Sequence, residues 1–187
     1  FNMSKFWEHN LLVAIVAKKI TENQAGYNDI FTIAILHDIG KLIIRQYLHI
    51  EFLKIFDYFE NNSINFIEAE KKVLEANHAQ IGSWLCKKWN FPEEIVLGVN
   101  YHHNAFDENS NDYAKLIFLA DSLVNNAGYS YPKNKNYELN IKKLHKLVEF
   151  SFLKKVTKNK ELFLDLEYYE NLTENMIEES EEFISML

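Results

Sequence analysis

Five of the seven histidines stand on or beside apolar faces of separate helical patterns: His9, His37, His78, His102 and His103. Two aspartates share that setting. Asp38 follows His37 directly within FTIAILHDIGKLII, and Asp121 lies among Ile117, Phe118, Leu119, Leu123 and Val124. An ionised carboxylate among such neighbours is costly unless it is paired or bound to a metal. Singly, each residue is ordinary, because a helical histidine on an apolar face is more often a hydrogen-bonded core residue than a ligand. Together they form a donor set. Imidazole and carboxylate suit Fe, Mn, Co or Zn, so the set could hold one or two divalent ions or be a residual, structural polar cluster. On a regular helix His37 and Asp38 diverge by about 100°; at a helix end, His37 could reach one ion while Asp38 bridges to a second. Two ions about 3.5–4 Å apart can polarise a phosphoryl oxygen. Lys41, one turn on, could stabilise phosphate charge, so Asp38 and Lys41 are the candidate catalytic residues. His49 and His145 have no comparable setting and are expected at the surface or in packing.

The elements that must position these residues are helical. His9 heads a stripe with Leu12, Val13, Val16, Ala17 and Ile20 at helical spacing. Asn28 or Asp29 can cap a second helix running to about Asp38, with Gly40 as its stop. Helical segments follow over 41–48, 51–60 and 66–76. Asn77 caps a helix from His78 to Lys88, whose inner face is expected to be His78, Ile81, Gly82, Leu85 and Trp89. Gly82 there suits close packing, and Trp84 and Trp89 read as core and half-buried anchors. Pro92 opens a helix carrying Ile95, Val99 and His102 on one side. A further helix, 113–126, holds Asp121 and closes at Gly128. Residues 129–138 read as a surface loop, and helical patterns recur over 141–153 and 160–187. The expected organisation is a helical domain over 1–127 and a C-terminal helical extension over 128–187 packing on it.

Composition limits the partners. Of 187 residues 48% are hydrophobic and 25% charged, which suits a globular chain with a sizeable core. Five glycines and two prolines leave few tight turns and favour helix. A single cysteine, Cys86, precludes an internal disulfide and fits a reducing cytoplasm. It is expected to be an inert small hydrophobe. A net charge of -7 argues against nucleic acid, and the basic patch of Lys133, Lys135, Lys142, Lys143 and Lys146 reads as an exposed face. No apolar run is long enough to span a membrane. The glutamates from Glu170 to Glu182 read as a solvated helix face. A helical pattern beginning almost at Phe1 suggests a fragment whose N-terminal part is missing.

These motifs carry a resemblance. HDIGK, preceded by WEHNLLVA and followed by NHAQIGSWLCKKWNFPEEI and YHH in that order, resembles the HD superfamily and within it the HDOD (HD-related output) domain family, over about residues 6–127. The resemblance implies an all-α, HD-domain-like helical bundle, here with additional C-terminal helices, and a regulatory role in bacterial signal transduction. It also implies an additional helical lobe ahead of the first histidine, which fits the fragment reading. Carried over from catalytic HD phosphohydrolases, it would make His9, His37, Asp38, His78, His102, His103 and Asp121 metal ligands. Lys41 would match the motif lysine. HDOD members are generally regarded as having lost catalysis, yet this chain keeps all these positions. It departs from the cyclic-di-GMP phosphodiesterases of the HD-GYP family. Asn104-Ala105-Phe106 follows the paired histidines in place of a Glu and a Gly-Tyr-Pro signature, and Lys5 stands where some of those enzymes place a carboxylate.

Two functions compete. The first, placed ahead, is a non-catalytic signalling domain that contacts other proteins, with a homo-oligomer compatible and no nucleic-acid or membrane partner. The second is a metal-dependent phosphohydrolase acting on a nucleotide or cyclic nucleotide. A sensor whose metal occupancy shifts the helices would combine the two.

Overall fold

The computed structural model describes residues 1–22, 26–62, 64–133 and 166–184, and every regular element among them is a helix. In chain order these are α1 (Met3–Ile20), α2 (Ile30–Leu36), α3 (Ile39–Tyr47), α4 (His49–Asn61), α5 (Phe66–Leu74), α6 (His78–Lys88), α7 (Glu93–Tyr101), α8 (Asp112–Asn126) and α9 (Leu166–Ile184). The protein is all-α, as the motifs imply.

The helix starts follow from local chemistry. The Asn2 side chain accepts the Lys5 N–H at the head of α1, and Asn111 accepts the Ala114 N–H at the head of α8. Asn65 with Glu68, and Asn77 with Gln80, form reciprocal capping boxes that open α5 and α6. Between those two helices Glu75 adopts φ 57°, a left-handed C-cap that turns the chain sharply into α6.

Two apolar clusters result. The larger joins α1, α2, α7, α8 and α9 through side chains such as Leu12, Val16, Ile33, Val99, Leu116 and Ile177. The smaller consists of Ile44, Phe52, Ile55, Phe66 and Ala69 from α3, α4 and α5. Helix α9 packs on α1 and α8. It buries Tyr169, Thr173, Met176, Ile177 and Ser180 and leaves Glu174, Glu178 and Glu179 outward.

Three expectations are corrected. Gly40 does not stop the second helix: α2 ends at Leu36, and Gly40 sits in the first turn of α3. Its role is contact, since a Cβ there would stand 1.9 Å from the His78 carbonyl oxygen. The buried face of α6 keeps the expected His78 and Gly82, but Ala79, Ser83 and Cys86 stand there in place of Ile81, Leu85 and Trp89. Small side chains there let α3 and α7 press close to the α6 backbone. Trp84 and Trp89, expected as anchors, consequently lie on the outer side, 60% and 53% exposed. His49 is exposed and Cys86 is buried. The pattern over 141–153, the stretch 160–165, His145, and Lys135, Lys142, Lys143 and Lys146 lie outside the described residues.

Candidate metal centre

His37 and Asp38 occupy the two-residue junction between α2 and α3, where the backbone departs from the helix at Asp38 (φ -99°, ψ 5°). The departure lets the two adjacent side chains meet. Asp38 is 1% exposed, and its two oxygens face different partners. Oδ1 lies 3.0 Å from His78 Nε2 and 3.9 Å from His102 Nε2. Oδ2 lies 3.6 Å from both His9 Nε2 and His37 Nε2, and accepts a 2.6 Å bond from Lys41 Nζ.

Around this carboxylate the candidates separate into two groups, each with its donor atoms within 4.8 Å of one another. Asp38, His78, His102 and His103 form one; His9, His37 and Asp121 form the other. His78 Nε2 is 2.9 Å from His103 Nε2, and His9 Nε2 is 3.3 Å from Asp121 Oδ1. Helices α1, α6 and α8, the turn that ends α7 and the α2–α3 junction all contribute. The structure therefore brings all eight sequence-identified site residues together, Lys41 included.

Backbone and side-chain acceptors orient the rings. His9 Nδ1 donates to the Tyr129 carbonyl (2.8 Å), His37 Nδ1 to that of Ala34 (2.6 Å), and His102 Nδ1 to that of Val99 (2.6 Å). A carbonyl only accepts, so each ring carries a proton on Nδ1 and turns Nε2 inward, where it is bare in His37 and His102. His78 Nδ1 meets a carboxylate instead, Glu70 Oε2 at 2.7 Å. The inward Nε2 atoms of His37 and His102 are buried without a hydrogen-bond partner. Buried donor atoms left open in this way, in a set of imidazoles and carboxylates, fit a divalent metal.

Electrostatics agrees with that fit at every shifted group but His78, from which an ion would have to displace a proton. Burial opposes charge on Asp38, yet Lys41, His37 and His78 hold its carboxyl well below the usual range. Burial likewise works against Asp121, and His9 keeps it low. Burial lowers His37. His102 falls to about 3 through burial and the neighbouring His37 and His78. His103 is depressed by burial and by His102 and His78. For His78 burial again acts downward, but the Glu70 and Asp38 carboxylates overcome it and raise the group to about 9. At neutral pH the aspartates are therefore ionised and His37, His102 and His103 neutral, the states that metal ligation requires.

A cavity of about 200 Å³ opens onto the centre, lined by His9, Asp38, Lys41, His78, His103 and Asp121 among others. Phe59, Phe66, Phe118 and Tyr131 supply apolar wall. Lys41 Nζ also donates to the Tyr131 carbonyl (2.9 Å), while the Tyr131 hydroxyl accepts the Asn2 N–H (2.6 Å).

Sequence reasoning missed Glu70, Tyr129 and Tyr131. Glu70 sits in IEAEKK, which resembles a solvated helix face, and its burial follows from the sharp α5–α6 turn. Tyr129 and Tyr131 act through backbone carbonyls, which no side-chain pattern reveals.

The sequence pattern of the HDOD domain family matches residues 1–105, a span that includes every candidate ligand except Asp121. The fold is similar to that of an HDOD domain protein of unknown function from Geobacter sulfurreducens, with a TM-score of 0.71 and 22% identity over 98% of this chain and 61% of that one. A candidate phosphohydrolase from Shewanella amazonensis SB2B gives 0.65 and 20% over 94% and 62%. A candidate signal transduction protein from Marinobacter aquaeolei VT8 gives 0.74 and 19% over 97% and 38%. An uncharacterized protein of Treponema pallidum (strain Nichols) is 25% identical over 91 residues, which are 49% of this chain and 18% of that relative. The chain thus spans under a fifth of that curated relative and less than two thirds of each solved chain. None of the described helices is long and apolar enough to cross a membrane.

Proposed function

The chain belongs to the HDOD domain family, and on that premise we propose that it is a bacterial signal-transduction domain built around a two-metal histidine–aspartate centre. The observation that carries the reading is Asp38, whose Oδ1 and Oδ2 face two separate donor groups across a buried junction. His78, His102 and His103 with Asp38 would hold one ion. His9, His37 and Asp121, with the other oxygen of Asp38, would hold the second. Ions bound there supply Lewis acidity toward a phosphoryl oxygen. The centre joins five parts of the fold, so its occupancy would set how those helices sit, and protein partners would read their surface.

Hydrolysis of a nucleotide or cyclic nucleotide is the second reading, favoured by the cavity that places Lys41 beside both donor groups. It stands second because Lys41 is already bonded to Asp38 and to the Tyr131 carbonyl, so a phosphate would have to displace one of them. The Asn104-Ala105-Phe106 sequence after the paired histidines further disfavours cyclic-di-GMP.

Elemental analysis of protein purified without chelators, followed by assay on bis-p-nitrophenyl phosphate with Mn²⁺, separates the readings. Metal approaching two ions per chain without turnover is the expected result. Turnover that disappears in Asp38→Ala would move the assignment to the hydrolase. No metal as purified, and none taken up from Mn²⁺, Fe²⁺ or Zn²⁺, would remove the centre altogether.

A further inference from the structure

We infer that Glu70 is a positioning carboxylate that makes the two metal positions unequal, tightening the one formed by Asp38, His78, His102 and His103. The inference rests on the two-metal reading above. Its starting point is an asymmetry among the four imidazoles anchored through Nδ1. Three are anchored on neutral backbone carbonyls, of Tyr129, Ala34 and Val99. Only His78 is anchored on a carboxylate.

Glu70 is fully buried on α5, and one oxygen takes both of its contacts: Oε2 accepts the His78 backbone N–H at 3.0 Å and His78 Nδ1 at 2.7 Å. The other oxygen, Oε1, is buried with no hydrogen-bond partner. No lysine or arginine pairs with Glu70 among the described residues. A buried carboxylate in such a place is costly unless positive charge reaches it, and His78 is the group through which that charge can arrive. A ring carrying a proton supplies it in the metal-free chain, and an ion on Nε2 would supply it in the proton's place. The carboxylate in turn fixes the ring and makes its inward nitrogen a stronger donor.

The second position has no such support. His9 and His37 lean on carbonyls, and Asp121 Oδ1 is shared with the Asn125 amide at 2.8 Å. The short α5–α6 turn is what makes the difference, because it swings the buried face of α5 behind the first residue of α6.

Zn²⁺ titration of the full chain against a chromophoric chelator tests this. Wild-type protein should bind two ions in two phases of different affinity. Glu70→Gln keeps the shape and removes the charge, and should weaken the tighter phase 10–100-fold while leaving the weaker one in place. Asp121→Asn should weaken the other phase. Equal wild-type phases, or a Glu70→Gln protein that binds like wild type or loses both phases alike, would overturn the inference and leave the two-metal centre standing. A wild-type chain that takes up no Zn²⁺ would instead remove the underlying reading. Should Glu70→Gln fail to fold, a long-range ¹H–¹⁵N spectrum of Zn²⁺-loaded wild type decides the matter. A His78 Nδ1 proton downfield of those of His37 and His102 supports the inference, and one indistinguishable from them overturns it.

Discussion

Asp38 divides its work by atom, one oxygen toward α6 and α7 and the other toward α1 and Lys41. The surrounding rings have a measurable titration consequence. His37, His102 and His103 hold protons less readily folded than unfolded, where imidazole titrates near 6.5. Below that value the unfolded chain takes up more protons, so stability falls on acidification. The depressed Asp38 and Asp121 act in the same direction at lower pH. His78, raised to about 9, works oppositely: its contribution is full below the unfolded value and is lost as pH climbs toward 9. The metal-free protein should therefore show its highest melting temperature near pH 6.5–7, roughly at the ordinary histidine value, and melt progressively earlier toward pH 4. A flat profile from pH 4 to 7 in a thermal-shift series would contradict these assignments. Cys86, buried and with its thiol pushed up by burial, should react with iodoacetamide only on unfolding.

At the scale of elements, the fit between α3 and α6 depends on absent side chains. Gly40 leaves room for the His78 carbonyl, and a Cβ at Gly82 would stand 3.2 Å from Ile39 Cγ2 and Val99 Cγ1 and 3.3 Å from the Gly40 backbone nitrogen. Gly40→Ala would drive a methyl into backbone and should cost at or beyond the upper end of the about 1–3 kcal/mol typical of overpacking. Gly82→Ala meets two methyl groups and, at a looser 3.3 Å, backbone, and should cost less. Urea unfolding of the two variants checks the ordering, and a Gly40→Ala protein as stable as wild type would refute it. These contacts also explain where sequence reading succeeded and where it did not. Histidines and aspartates interrupting apolar stripes announced themselves, because burying polar groups is costly and therefore conspicuous. The inner face of α6 did so only at His78 and Gly82, because the rest of it is Ala79, Ser83 and Cys86 while the more hydrophobic Trp84 and Trp89 point outward. Gly40 looked like a helix stop because glycine is often one; the need came from a neighbour 38 positions away in sequence, which no local pattern contains.

For the whole molecule, the proposed centre would draw ligands from α1, α6, α8, the turn that ends α7 and the α2–α3 junction, and so would tie metal binding to global stability. Zn²⁺ at about 100 times its dissociation constant should add about 2.7 kcal/mol and raise the melting temperature accordingly. Asp38→Ala should abolish the increase, and a wild-type melting temperature indifferent to Zn²⁺ and to chelator would rule this coupling out. The larger apolar cluster also takes in α9, through Tyr169, Met176 and Ile177, so the same transition should carry that helix with it.

The two-residue break between α2 and α3 has a reciprocal meaning. His37 belongs to one donor group and Asp38 to the other, so in the proposed centre the spacing of the two helices and the affinity for metal would be one thermodynamic quantity seen from two sides. Whatever factor the metal applies to a preferred helix spacing, a partner that imposes that spacing must apply to the metal. Such a junction is a gauge that reads in both directions.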